Sequence, residues 1–337
     1  MRKKRVLAIM HKDLVPPDSI EGLTEAEVAP FKTEYDVITA CRAMGHEVRS
    51  LGIQSDLSVL GKTIEEWKPH IVFNLLEEFD GEAVMDHNVV SYLELLKLPY
   101  TGCSPRGLIL ARDKGLSKKI LSYHRIRVPA FAVFPRRKAV KRPSRLKFPL
   151  FVKSLIEEAS LGIAQASIVD DDEKLKERVA FIHERIGTDA IAEQYIEGRE
   201  FYVSVLGNRR LEVFPIWELK FTKAGNGVPL IATAKVKFDL EYQKKLGVET
   251  SEAKDLAPEV VKGILRLCKR IYRNLGLKGY ARIDMRMTAD GQVYVLEANP
   301  NPQLARGEDF AESARAVGVS YEQLIQRIMS LGFSRAR

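Results

Sequence analysis

The chain has 337 residues, 45% hydrophobic and 29% charged, with 53 Lys and Arg against 45 Asp and Glu for a net charge of +8. That is the balance of an ordinary soluble globular protein of two or three domains; no run of about 18 apolar residues occurs, which excludes a membrane-spanning helix. Residues 6–10, after the basic start Met1-Arg-Lys-Lys-Arg5, are too short for a signal-peptide core, and Cys41, Cys103 and Cys268 are odd in number, widely spaced and in no metal-ligand pattern, so a reduced, cytoplasmic setting is expected.

In chain order, residues 6–10 read as a buried strand, 31–44 as a helix that Gly45 is placed to end, and 47–53 as a strand. A short helix at 63–67 stops at Pro69; 70–76 is the next apolar strand and 84–97 a helix by apolar spacing. This alternation predicts a doubly wound α/β first domain over 1–112. A helix at 116–122 and a strand at 128–134 follow. Next comes an acid-free basic cluster, Arg136-Arg137-Lys138, Lys141-Arg142, Arg145 and Lys147. It is read as a solvated connecting loop, with an acidic small molecule or protein as an alternative partner. Nucleic acid is not favoured, because neither aromatic interleaving nor zinc-finger spacing accompanies it.

Strands at 148–153 and 163–168, a helix at 171–186 and a strand at 190–195 make a small central α+β unit over 113–198. The remainder, 199–337, holds strands at 200–206, 210–218 and 230–238, a long helix at 258–275, a hairpin, and closing helices at 309–317 and 321–331.

The hairpin, Tyr280 to Asn299, carries the chemistry. Asp290-Gly291 suits a tight turn. Ala281, Ile283, Met285 and Met287 alternate with Tyr280, Arg282, Asp284 and Arg286, so the charged residues share a face. A two-residue loop places Asp284 opposite Glu297 and Arg282 opposite Asn299. Facing carboxylates repel, and a divalent cation reverses that sign. Two carboxylates and an amide oxygen are hard ligands suited to Mg²⁺ holding nucleotide phosphates. A solvent-facing hairpin is the alternative.

Lys153 ends an apolar strand, where an ammonium needs an anion or must snorkel. Glu158-Ala-Ser-Leu-Gly162 after it offers small residues and a hydroxyl to phosphates, or else an ordinary turn. Other phosphate and catalytic signatures fail. Gly61-Lys62-Thr63 lacks the P-loop glycine, where Asp56 stands, and neither Gly-x-Gly-x-x-Gly, Gly-x-Ser-x-Gly nor a histidine ligand pair occurs.

In this order the elements resemble the ATP-grasp superfamily, in particular the D-alanine–D-alanine ligases, over nearly the whole chain. Phe73-Asn-Leu-Leu76 with Gly81-Glu82, and Leu98-Pro-Tyr-Thr-Gly102, look like the family's first domain. Arg112-Asp-Lys114 looks like its Met-Asp-Lys element. Phe151-Val-Lys153 with 158–162 resembles the phosphate lysine and its serine-rich loop. Ala192-Glu-Gln-Tyr-Ile-Glu-Gly-Arg-Glu-Phe201 is similar to the adenine hinge and ribose acid. Gly279-Tyr-Ala-Arg-Ile-Asp284 and Leu296-Glu-Ala-Asn299 match the metal hairpin.

The resemblance implies an α/β (α+β) ATP-grasp fold, with a doubly wound N-terminal domain, a small central domain and a C-terminal antiparallel-sheet domain. It implies ATP with Mg²⁺ (Mn²⁺ as alternative) on Asp284, Glu297 and Asn299. Lys114, Lys153 and Ser160 would face the phosphates, and Glu193, Gln194, Tyr195 and Ile196 the adenine, through backbone groups and apolar walls. Glu200 would take the ribose hydroxyls. Lys235 and Arg282 would be the catalytic cations at the γ-phosphate and the transferring phosphoryl group. Ordinary surface charge is the alternative for Lys114, Glu200 and Lys235. The implied activity is an ADP-forming carboxylate–amine ligase acting through an acylphosphate on small-molecule substrates, with a homodimer through the first domain.

Two departures touch the substrate half. The family usually reads Thr-x-Pro-Gly-Met/Leu-Thr/Ser after the metal Asn; here the stretch is Asn299-Pro-Asn-Pro-Gln-Leu-Ala-Arg306, with Gln303 for the glycine. The family's N-terminal Gly-Gly-x-Ser-x-Glu is replaced by Met10-His-Lys-Asp-Leu-Val-Pro-Pro17. The expected substrates are therefore amino acids or small metabolites other than two D-alanines, with Arg306, His11 or Lys12 as holders of a different carboxylate. The alternatives are a ligase adding amino acids to a protein or peptide, and a nucleotide-binding module that has lost catalysis.

Overall fold

A computed structural model describes residues 3–157, 163–223, 236 and 240–335. Strands β1 (Arg5–His11), β2 (Glu47–Ile53) and β3 (Ile71–Asn74) form a parallel sheet in the order β2-β1-β3. Val6 to Met10 are buried on both faces, which is why β1 is a continuous apolar run without alternation. The helix Lys32–Ala43 buries Val37, Ile38 and Cys41 on one stripe, and Gly45 follows it at φ +81°. The helix expected at 63–67 begins earlier, as Ser58–Trp67, after a turn in which Asp56 accepts hydrogen bonds from the Ser58 amide and hydroxyl at 2.7 and 2.8 Å. A helix at Pro105–Arg112, with proline in its first turn, is unforeseen. Asp113 then caps the helix Lys114–Tyr123 by accepting from the Leu116 amide.

The central sheet comprises β4 (Phe131–Phe134), β5 (Leu150–Ser154), β6 (Ile168–Val169) and β7 (Ala190–Gln194), antiparallel in the order β4-β7-β5-β6. The helix Asp172–Phe181, continued by a π turn Ile182–Ile186, packs on it. The strand expected at 163–168 is a 3-10 turn, Gln165–Ser167, followed by the two residues of β6. Ser167 holds the turn, its hydroxyl accepting from the Ala164 amide and from Arg178.

The third sheet is antiparallel in the order β10-β9-β8-β11-β12, from β8 (Arg199–Gly207), β9 (Leu211–Phe221), β10 (Val248–Glu252), β11 (Tyr280–Met287) and β12 (Val293–Pro300). A helix, Leu240–Leu246, and β10 are additions to the sequence reading; the strand expected at 230–238 lies outside the described residues, apart from the buried Val236. Ile264, Cys268, Ile271 and Tyr272 form the buried stripe of Pro258–Asn274. The helices Asp309–Arg315 and Tyr321–Arg335 join the first sheet and Tyr280 in one core, where Phe310 meets Phe214 and Tyr280 edge-on. A larger core runs from Leu7 and Val72 to Ile283 and Ala298.

The first sheet therefore presses on the hairpin. Gly102 (φ +90°) and Gly279 (φ +69°) meet there so closely that a Cβ on Gly279 would lie 2.3 Å from the Gly102 carbonyl oxygen. Asn301 fastens the joint, its Oδ1 accepting from the Cys103 amide at 2.6 Å.

Candidate active site

The pairing read from the sequence is present: Asp284 faces Glu297 and Arg282 faces Asn299. The turn is not the expected two-residue loop. The ladder ends at Met287↔Val293, Thr288 N–H donates to Gln292 O at 3.0 Å, and Gly291 N–H to Thr288 O at 2.9 Å. That longer turn shifts the register by one residue, and Leu296, an extra residue between the pairs Asp284↔Glu297 and Met285↔Val295, shifts it back as a β-bulge.

The charged face of the hairpin is roofed, contrary to a solvent-facing alternative: Asp284 is 4% exposed and Arg286 5%. Arg282 clamps Asp284 through two hydrogen bonds, Nε to Oδ1 at 2.7 Å and Nη2 to Oδ2 at 2.8 Å, lies over the Tyr202 ring, and has Asp309 4.0 Å away. Burial opposes the Arg282 charge, but Asp284 outweighs it and holds the guanidinium protonated well above its usual range. Asn299 donates its amide N–H to Asp284 Oδ2 at 2.9 Å, so its Oδ1 is the amide's acceptor.

Beside the hairpin lies a four-charge chain, buried except for the partly exposed Glu297. Lys153 Nζ is 3.5 Å from Glu193 Oε1 and 3.6 Å from Glu297 Oε2, while Lys118 Nζ is 3.4 Å from Glu193 Oε2. Burial works against the Lys153 charge, yet the two carboxylates win and raise its pKa. Lys118, with Glu193 as its nearest carboxylate, is pulled down to about 8 by burial, which Glu193 only partly offsets. The ammonium of Lys114, also buried, donates to Glu157 O at 2.6 Å, just before residues 158–162. The sequence reading included Lys153 and Lys114 but missed Lys118. Its signal was available: it stands four residues after Lys114, on the same helix face.

The nucleotide-side residues are partly committed. Glu200 takes Arg286 Nη2 and Nε on Oε2 at 2.7 and 3.0 Å, and Tyr202 Oη on Oε1 at 2.9 Å. One lone pair, the second on Oε1, is left for a hydroxyl donor. Gln194 N–H donates to Ala130 O and Tyr195 N–H to Pro149 O, so these two amides are not the adenine donors that the resemblance implied. Ile196 O accepts from Arg286 Nη1 at 2.8 Å, and Arg286 lies over the Tyr195 ring. Arg286 and Tyr202 were missed, although Arg286 stands on the same alternating face as Arg282. Ser160 and Lys235 lie outside the described residues.

On the substrate side two expectations are corrected. Arg306 is bound to Glu322 at 2.5 Å and stacked on Tyr321, so its charge is already answered. His11 sits between Asp13 and Glu78, at 3.6 and 3.5 Å, where a further carboxylate would be repelled.

Among the described residues no three His, Cys, Asp or Glu side chains gather as a metal cluster. Asp284, Glu297 and Asn299 share one face of the hairpin, with the Asn299 amide against Asp284. Two carboxylates and an amide oxygen are hard donors of the kind that suits Mg²⁺.

Residues 120–330, well over half of the chain, match the family model described as D-ala D-ala ligase C-terminus. The chain belongs to the D-alanine–D-alanine ligase family. It is 30% identical over 311 residues to the uncharacterized protein y4sG of Sinorhizobium fredii, covering 89% of this chain and 87% of that one. It is 29% identical over 318 residues to the D-alanine–D-alanine ligase of Desulforudis audaxviator, covering 93% and 97%. The fold matches the D-alanine–D-alanine ligase of Bacillus anthracis complexed with ATP, with a TM-score of 0.76 at 20% identity over 99% and 98% of the two chains. It also matches the VanG D-Ala:D-Ser ligase of Enterococcus faecalis, with a TM-score of 0.70 at 20% identity over 98% and 100%. As a member of the D-alanine–D-alanine ligase family, the protein is an ADP-forming ATP-grasp ligase that makes C–N bonds with ATP and Mg²⁺. The inactive-module alternative is set aside.

Proposed function

We propose that the protein joins a carboxylate to an amine through an acylphosphate, on amino acids or small metabolites other than two D-alanines. The observation that carries the reading is the set Arg282, Asp284, Glu297 and Asn299 on one face of the hairpin, with Asp284 buried, beside the Lys153–Glu193 pair. A substrate carboxylate oxygen attacks the γ-phosphorus, the bond to the β-phosphate oxygen breaks, and ADP leaves. The amine nitrogen then attacks the acyl carbon, phosphate departs, and the amine proton goes to solvent.

Mg²⁺, when bound by Asp284, Glu297 and Asn299, supplies charge neutralisation to the phosphates. Lys114 and Lys153, with Ser160, bind the phosphates. Arg282, held in place by Asp284, faces the moving phosphoryl group and the tetrahedral intermediate, with Lys235 as the second cation. Glu193 to Ile196 border the adenine, and Glu200, fixed by Arg286 and Tyr202, takes the ribose hydroxyls. Positioning and electrostatics suffice, with no protein nucleophile.

The departure from D-alanine rests on the substrate half. Gln303, which is exposed, stands where the family has its glycine, and residues 10–17 replace the family's N-terminal element. The division 1–112, 113–198 and 199–337 is supported by one sheet in each segment. A cytoplasmic site of action is supported by three free, buried cysteines. A homodimer is proposed on the family resemblance alone, with light scattering of the eluted protein as its check.

One observation favours a peptide or protein acceptor. A groove of about 420 Å³ runs along β4, lined by Phe131 and Val133 and flanked by Lys119 and Arg145, next to the exposed Arg136, Arg137, Lys138 and Lys141. ADP release measured over panels of amino acids and of acidic peptides separates the two acceptors. With the active substrate, Arg282→Ala is expected to slow turnover by roughly 10²–10³-fold. Unchanged turnover in Asp284→Ala ends the metal assignment, and turnover on two D-alanines above all other pairs ends the substrate proposal.

A further inference from the structure

We infer that Lys118 is a positioning residue for the metal end of β12, tying it to the nucleotide segment at β7. The inference rests on the assignment of Asp284, Glu297 and Asn299 as the metal-holding set. Lys118 is 1% exposed, and its ammonium donates to the carbonyl oxygen of Leu296 at 2.6 Å. Leu296 is the residue that the bulge leaves outside the ladder, and at this partly buried position its carbonyl needs another donor. Lys118 answers it. In doing so it stabilises the bulge that restores the register, and the next residue is Glu297.

A second route reaches the same carboxylate. Glu193 takes Lys118 on Oε2 and Lys153 on Oε1, and Lys153 also reaches Glu297. Two ammonium groups and two carboxylates thus balance in a chain of which only Glu297 is partly exposed. When Glu297 is drawn toward a cation, Glu193 still holds Lys153, and Lys118 keeps both Glu193 and the bulge in place. An apolar side chain of similar length would fill the volume but leave Leu296 O and one Glu193 oxygen without their cation. Lys118 therefore acts through Leu296 and Glu193, outside the reacting atoms. Groups of this kind typically govern metal affinity by 10–100-fold.

The test is Mn²⁺ binding followed by electron paramagnetic resonance at saturating ADP, with no turnover needed. Lys118→Met is expected to raise the half-saturating Mn²⁺ by about 10–100-fold, while Lys176→Met, at an exposed position of the helix Asp172–Phe181, leaves it unchanged. Lys118→Gln keeps a donor for Leu296 O without the charge and serves if circular dichroism shows the Met variant unfolded. A rise of threefold or more in the folded variant supports the inference. A smaller rise, even with a lowered melting temperature, overturns it and makes Lys118 a purely structural lysine. Asp284→Asn separates the two layers: if it leaves Mn²⁺ binding intact, the metal-holding set itself is wrong, whereas weakened binding there with none in Lys118→Met removes only the role of Lys118.

Discussion

Asp284 and Glu297 face each other across two strands without neutralising the site's design, because each has its own cation: Arg282 for one, Lys153 for the other. Glu34 has no such partner among the ion pairs of the described residues, and it is 5% exposed in the first turn of its helix. Burial, opposed by a backbone hydrogen bond and reinforced by the Glu77 charge, pushes its carboxyl up to about 7 from 4.5. A folded pKa above the unfolded one means the folded state keeps its proton while the unfolded chain releases it. Stability is then full below about pH 4.5 and is lost as pH rises through about 7, by on the order of 3 kcal/mol. Glu34→Gln is expected to melt higher than the wild type at pH 8, with the difference closing by pH 5. Thermal melts at the two pH values check this; an equal loss at both would show an ionised, satisfied carboxylate. The charges on the hairpin were legible one by one in the sequence. Their partners were not, since Lys118 meets Leu296 across 178 positions and Arg286 meets Glu200 across 86.

At the scale of elements, the hairpin pairing was reached by two offsetting departures. A turn longer than two residues and a bulge at Leu296 each move the register by one, in opposite senses. Period-2 alternation sets which face a side chain takes, but it holds no count of loop residues, so the sequence could not separate the two cases. The long helix Pro258–Asn274 was legible because its apolar spacing alone decides its buried stripe. β6 was not: a serine with two donors to accept from favours a turn over a strand. Glycines discriminate in the same way. Gly279→Ala combines a left-handed backbone with a 2.3 Å clash against Gly102, and is expected to cost on the order of 3 kcal/mol or more. Gly45→Ala has the same backbone sign but nothing within 4 Å, and should cost only about 1–2 kcal/mol. Denaturant midpoints of the two variants measure the difference, and equal losses would show that the Gly102 contact is soft.

For the whole molecule, the first sheet and the hairpin share a core, so a ligand that draws the charged face together stabilises both. ADP with Mg²⁺ at about a hundredfold over its dissociation constant is expected to add about 2.7 kcal/mol to unfolding. The melting temperature should rise by several degrees, less so with EDTA present, and an EDTA-insensitive rise would remove the metal from nucleotide binding. Sequence alone determined the fold class, the order of the motifs and the family, because apolar periodicity and short motifs are local properties of the chain. It also placed Asp284 and Glu297 on one face. Only the tertiary structure decided which charge answers which: Arg306 spent on Glu322, Glu200 locked by Arg286, and Lys118 buried under the bulge. The reason is physical. A buried charge takes whichever partner the packing of distant segments brings within reach, and no periodicity along the chain records that choice.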